Sequence, residues 1–347
     1  MRVTETDLKN SITIRGGVLR SSAASLYAIV YNEMFFLPAF FEHYRRLGVQ
    51  QFLILDDGSN DGTERFLRQQ PDCVLLGSPF KFGQPLVVTF NDGRQSRGRA
   101  GTYLKRFIPQ HLLPGEFALY VDADEFLILP KRVRSIPELF KALADRHITH
   151  VAASLVDFFP LHITTMDKSN APMSFEDLLV DYAYFDAIPL IQLIEGKQPR
   201  AINPTVSARL FAKHGVKQAP RFLRSLPGWL IDALPFRPPG VARKKTPVIR
   251  SSETLWLEGS HQANVAPPSE VMLALAHFKF TSGFAKRIEM AMARKAHSRN
   301  GEKYFQYDRL MQRMRRGDGA FASTHTMPYQ GPESLESCGL MRWPDQW

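Results

Sequence analysis

The chain has 347 residues, 44% of them hydrophobic, and a formal net charge of +10. That length and apolar share exclude a disordered or fibrous chain. They suit one large α/β domain with an elaborated C-terminal part, or two domains.

Two cysteines, Cys73 and Cys338, exclude a disulfide framework and fit a reducing compartment. The stretch 1–20 is polar and shows no apolar signal core. No run approaches the ~18–20 apolar residues that cross a bilayer. The expectation is a cytoplasmic protein, soluble or peripheral at the inner membrane. No repeat or low-complexity tract is visible.

In chain order, an apolar strand over 25–31 leads into Asn32 and Glu33 and a helix over 33–47. There Met34, Leu37, Phe40, Phe41, Tyr44 and Leu47 recur at three-to-four spacing, and Gly48 ends the run. A strand over 51–55 ends at Asp56 and Asp57, followed by a turn rich in Gly, Ser, Asn and Asp and a short helix over 63–69. A strand over 73–76 precedes a loop and a basic helix over 94–107, with Arg94, Arg97, Arg99 and Lys105. A strand over 117–121 delivers Asp122, Asp124 and Glu125. Another over 151–156 ends at Asp157.

The order β-α-β-α-β predicts an α/β fold with a mainly parallel sheet flanked by helices. Ligands of such sheets sit at the carboxyl ends of the strands. All three acidic motifs fall at such ends, which predicts one shared site. In a strand, residues i and i+2 share a face about 6.6 Å apart. Asp122 and Asp124 can then share one cation, while Glu125 points elsewhere. Oxygen ligands of this kind suit Mg²⁺ or Mn²⁺. The structural alternative is a solvated acidic turn.

The segments SLYAIVYNE (25–33), QFLILDDGSNDGT (51–63) and FALYVDADEFLIL (117–129) together resemble family 2 glycosyltransferases of the GT-A (Rossmann-like) fold. The likeness is closest to the subgroup with NE, DDGSxDGT and DxDEF motifs. It is clear over about 24–130 and loose beyond. It implies a GT-A domain over 21–280, with a donor half 21–130 and an acceptor half 131–280. A basic helical region follows over 281–347. The implied activity is metal-dependent transfer from a nucleotide-diphosphate sugar, with UDP-sugars the first choice. The implied acceptor is a glycan or lipid-linked molecule of cell-surface polysaccharide or glycolipid synthesis.

By that resemblance, Asn32, Glu33, Asp56 and Asp57 hold the nucleoside, and Arg99, or else Arg97, contacts the donor. Asp122 and Asp124 hold Mn²⁺ or Mg²⁺. His277, in LALAHFKF, resembles the C-terminal histidine that completes the metal shell, and His261 in LEGSHQ is similar in kind. For Asn32 and Glu33 the alternative is helix capping. The acceptor base of the family comes from an ED motif, here Glu176 and Asp177, with Asp157 as a rival. Ser174 before these acids also reads as a helix N-terminus.

Residues 213–250 hold nine basic residues against Asp232 alone, interleaved with Trp229, Leu230, Ile231, Leu234 and Phe236. This pattern suits an anionic membrane surface or a loop packed on the core. The region 281–316 is also basic, with Lys286, Arg287, Arg294, Lys295 and Arg299. Two further classes stand beside the transferase. A sugar nucleotidyltransferase would need a Gly-rich basic loop after the first strand, which YNEMFFLPAFF does not offer. A non-catalytic basic protein could bind membrane or nucleic acid, although no nucleic-acid motif is present.

Overall fold

The computed structural model describes residues 1–169, 171–219, 226–294 and 302–347. Arg221 and Arg224, two of the nine basic residues of 213–250, and Lys295 and Arg299 of the region 281–316 lie outside the described residues. The chain opens with β1 (Arg2–Thr4), α1 (Glu5–Asn10) and β2 (Thr13–Gly16). Then come β3 (Ser25–Val30), α2 (Leu37–Arg46), β4 (Gln51–Asp56), α3 (Thr63–Arg68) and β5 (Cys73–Gly77). A hairpin of β6 (Pro85–Thr89) and β7 (Gln95–Arg99) precedes α4 (Ala100–Leu112). The next run is β8 (Phe117–Tyr120), β9 (Glu125–Ile128), α5 (Ile136–Ala144) and β10 (His150–Asp157). A 3-10 turn (Ile163–Asp167) and α6 (Phe175–Asp181) follow, then β11 (Tyr184–Asp186), β12 (Ile191–Ile194), β13 (Lys197–Ala201), α7 (Val206–Lys213) and α8 (Gly228–Ala233). The last elements are β14 (Lys244–Arg250), β15 (Leu273–His277), α9 (Phe284–Arg294), α10 (Glu302–Arg316), β16 (Thr326–Pro328) and α11 (Pro332–Ser337).

A nine-stranded sheet of order β2-β5-β4-β3-β8-β14-β10-β15-β9 organises the molecule. The expectation of a mainly parallel sheet is corrected to a mixed one. Parallel pairing joins β5 to β4, β4 to β3, β3 to β8 and β10 to β15. The other pairings are antiparallel, because β14 inserts between β8 and β10, and β9 folds back on β15. Even so, β3, β4, β8, β10 and β15 all run the same way, so their carboxyl ends share one edge. The reversed strands β14 and β9 begin at that edge.

That edge has to curl. Residues 121–124 join β8 to β9, yet three strands lie between those two in the sheet. Four strand spacings cover about 19 Å. Five residues of fully extended chain reach at most about 18 Å. The link is not extended, since Glu125 N–H donates to Asp122 C=O at 3.0 Å. The sheet closes the gap by bending, helped by a register shift between β10 and β14 at Val151–Ala153.

The helices pack by the pattern read above. In α2, Leu37, Phe40, Phe41 and Tyr44 are buried along one stripe. Phe41 stacks on Phe52 of β4 with centroids 4.3 Å apart. The helix starts four residues later than expected, after a turn in which Phe36 and Leu37 N–H groups donate to Glu33 C=O. It ends at Gly48, whose φ of 87° suits a residue without Cβ.

The basic helix expected over 94–107 is replaced by strand β7 followed by α4. The sequence Asn91-Asp92-Gly93 makes a hairpin turn, with Gly93 at φ 81°. Arg94 and Arg97 therefore sit on an exposed hairpin rather than on a helix. Nor is the polar 1–20 stretch a loose extension. There β1 pairs with β6, β2 pairs with β5, and Leu8 of α1 is buried.

Among the described residues, three apolar clusters fill the fold. The largest joins the sheet to α2, α5 and the C-terminal Leu335, Leu340 and Met341. A second lies on the other side of the sheet under α4. The third unites α7, α9 and α10 around Phe159, Phe280 and Phe321. Among the described residues, no helix is long and apolar enough to cross a membrane.

Candidate active site

The shared edge gathers Asn32 and Glu33 after β3, Asp56 and Asp57 after β4, Asp122 and Asp124 after β8, Asp157 ending β10, and His277 ending β15. The strand that carries Asp122 stops at Tyr120, so the two aspartates lie in the turn to β9 rather than on one strand face. Their common-face geometry is thereby corrected, and each aspartate finds its own partners.

Asp122 pairs inward. Its Oδ1 accepts from Tyr120 O–H at 2.7 Å, and its Oδ2 meets Lys245 Nζ at 3.0 Å. Lys245, at the start of β14, is fully buried and also donates to Glu125 Oε2. Glu125 closes the triangle by accepting from Asp122 N–H at 2.8 Å. Glu125 thus shares the cation of Asp122 instead of pointing away.

A second buried lysine, Lys105 of α4, donates to Ser260 Oγ and lies 5.0 Å from the Tyr120 ring centre. Burial alone would raise the Asp122 carboxyl, but Lys245 and Lys105 hold it well below the usual range. Burial and the charge of Asp122 push Glu125 upward against the pull of Lys245.

Asp124 faces the other way. Its Oδ2 accepts from Arg287 Nη1 at 2.7 Å and stands 3.5 Å from His277 Nε2. Arg287, on α9, is itself fixed, donating to Lys279 C=O at 2.6 Å and Phe278 C=O at 3.2 Å. His277 and Arg287 carry Asp124 far below the usual range despite burial. Behind His277 lies Asp157, whose Oδ1 accepts from His277 Nδ1 at 2.8 Å and from Lys279 Nζ at 3.2 Å. Its Oδ2 accepts from Ser207 Oγ at 3.1 Å. Burial and Lys279 would lower the His277 imidazole, but Asp124 and Asp157 raise it to about 9.

The nucleoside candidates form a braced loop. Asn32 takes a left-handed φ of 55° and exchanges hydrogen bonds with Asn60, so it does not cap α2. Asp56 accepts from Ser59 N–H, which makes it the brace of the DDGS turn. Asp57 Oδ1 accepts from Phe82 N–H at 3.0 Å. Glu33 Oε2 is buried without a hydrogen-bond partner. Burial first, then the charges of Asp124 and Asp122, raise Glu33 to about 8 against the pull of Arg287. Arg99 precedes α4 at its N-cap, half-buried, while Arg97 is exposed on β7. His261 accompanies the Asp122 side rather than Asp124, with Nδ1 at 3.2 Å from Lys244 C=O.

The expected acceptor bases are occupied elsewhere. Asp177 and Ser174 form a capping box at the start of α6. Glu176 pairs with Arg46 on the surface. Asp157 is 2% exposed at its side chain, and its oxygens are taken up by His277, Lys279 and Ser207.

Sequence reasoning noted Lys245 and Arg287 only as parts of basic regions. Three acids ending a buried strand demand cations. The lysine pair opening the apolar run TPVI, at Lys244 and Lys245, was the available signal.

Among the described residues, no three His, Cys, Asp or Glu side chains form a metal-holding group. Asp122, engaged by Tyr120 and Lys245, is withdrawn from such a role. Asp124 and His277 come nearest to one, with Arg287 already paired to the Asp124 oxygen that faces the histidine. The imidazole presents Nε2 toward the carboxylate while Asp157 holds Nδ1, the arrangement that fixes a ligating histidine. One oxygen and one nitrogen ligand suit Mn²⁺, with substrate phosphates and water for the rest of the shell. The chain matches no protein-family model, and no curated protein matches it.

Proposed function

We propose that the protein is a glycosyltransferase of GT-A type that takes a nucleotide-diphosphate sugar and transfers the sugar to a glycan or lipid-linked acceptor. The observation that carries this reading is the convergence at one sheet edge. The Asn32–Asp57 loop, the Asp122–Lys245 set and the Asp124–His277–Arg287 set meet there, as Glu33 senses the charges of both Asp122 and Asp124. Acidic and basic groups interleave, which suits a ligand with hydroxyls and amide N–H groups at one end and phosphates at the other.

In this reading the Asp57 carboxylate accepts from the nucleoside, and Asp122, held rigid by Lys245, accepts from a ribose hydroxyl. Arg287 and Lys279 lie where positive charge is needed once the diphosphate leaves with extra negative charge. Asp124 and His277 would hold the Mn²⁺ or Mg²⁺, which supplies further charge neutralisation of the departing diphosphate.

The test is calorimetry of UDP binding with Mn²⁺ and with EDTA, followed by donor hydrolysis across a panel of nucleotide sugars. Asp57→Ala should weaken UDP binding by about 1.5–3 kcal/mol, the range for a hydrogen bond to a charged group. A protein that binds no nucleoside diphosphate and hydrolyses no donor would sink the proposal.

A further inference from the structure

We propose that the face made by α8 and the adjoining side of α10 docks on an anionic lipid bilayer. Trp229 of α8 is 71% exposed and Phe305 of α10 is 47% exposed. The two helices are tied together at this place. Arg309 Nη1 donates to Gly228 C=O at 3.0 Å, and Arg313 Nη2 to Asp232 Oδ2 at 2.6 Å. Phe305 lies one turn before Arg309, so the row of α10 that meets α8 ends in that ring. Gly228 immediately precedes Trp229, so the exposed indole leaves the turn of α8 that Arg309 holds.

The alternative, a segment folded onto the core, is already satisfied by Ile231, which is buried beneath α8. Trp229 is left over, pointing to solvent. Lys217, Arg237, Arg309 and Arg313 lie around the seam of α8 and α10, where Arg309 and Arg313 pair with Asp232. An indole and a phenyl ring within an excess of positive charge match the interface of a bilayer with anionic headgroups.

The neighbouring side of α10, with α9, lines a cavity of about 420 Å³ whose wall mixes Met166, Ile288, Met292 and Met311 with the charged Glu289, Asp308 and Arg315.

The structure also relocates the basic patch expected from sequence. Lys245, one of the nine basic residues of the 213–250 run, is buried against Asp122 and cannot touch lipid. The inference is independent of the transferase reading, since lipid binding is measured without donor or acceptor.

The experiment sediments the full chain with phosphatidylcholine vesicles and with vesicles containing phosphatidylglycerol, at low and high salt. Binding to the phosphatidylglycerol vesicles, released by salt, is expected. The double variant Trp229→Ser, Phe305→Ser should bind about tenfold more weakly with an unchanged melting temperature, and Arg237→Glu should bind more weakly than wild type. Wild-type protein left in the supernatant overturns the proposal. So does equal binding to both vesicle types, or a folded double variant that binds like wild type. A measurement on the unmodified protein guards against a variant that fails to fold. Brominated phosphatidylglycerol should quench the tryptophan emission, and unquenched emission rejects insertion of this face.

Discussion

Asp122 and Asp124 are two residues apart and live in different surroundings. Asp122 is closed in by a buried lysine from β14 and shares it with Glu125. Asp124 opens toward His277 and Arg287, from β15 and α9. The first set is an internal ion triangle that stiffens the turn. The second has a polarised histidine and a carboxylate side by side. The difference teaches that a DxD-like motif need not act as one pincer. Its first acid can be structural support for the second.

The largest expected effect tests the inner triangle. Lys245→Met leaves the buried Glu125 without its cation, and losing one partner of a buried pair costs about 3–5 kcal/mol, while Asp122, 38% exposed at its side chain, adds less. Chemical denaturation should show that loss. Adding Glu125→Gln should restore part of it, since one of the stranded charges is removed. A Lys245→Met protein as stable as wild type would break the distinction between the two sets.

The outer set should respond differently. Asp124→Asn should abolish the gain in UDP affinity that Mn²⁺ gives over EDTA, at a smaller loss of stability than Lys245→Met. Arg287 would keep its bonds to the carbonyls of Phe278 and Lys279. If Asp124→Asn keeps the Mn²⁺ gain and Asp122→Asn loses it, the roles assigned to the two acids are reversed.

A smaller effect sharpens the role of Asp157. Asp157→Asn keeps the volume but no longer fixes His277 Nδ1 as the protonated nitrogen. Loss of such an orienting carboxylate weakens metal affinity by about 10–100-fold. Titration of Mn²⁺ into the UDP-saturated protein measures this directly. A base that took the acceptor proton would instead leave metal affinity untouched and slow turnover only.

The smallest effect concerns the other candidate base. Glu176→Gln removes an exposed partner of Arg46, so stability should change by under about 1 kcal/mol. Donor hydrolysis and transfer should be unaffected. A large loss of transfer would return Glu176 to the active site.

The sequence by itself determined the apolar strands and the positions of their ends. Those are local properties: runs of buried residues, turn-forming Gly and Asn, and the three-to-four spacing of α2. They sufficed to place Asn32, Asp57, Asp122, Asp157 and His277 at strand ends, because a parallel arrangement brings such ends together. Local pattern misread 94–107, where the Asn-Asp-Gly turn outweighs the helical tendency that follows it.

What only the tertiary structure decided is which charge meets which. Lys245 lies 120 residues from Glu125, and Arg287 lies 163 residues from Asp124. Those pairings depend on β14 entering the sheet between β8 and β10 and on the curl that lets a four-residue turn reach β9. Both follow from the packing of strands distant in sequence, which no local pattern encodes. The same long-range packing buried Lys245 and left Trp229 in solvent, although the two stand sixteen positions apart in one basic segment.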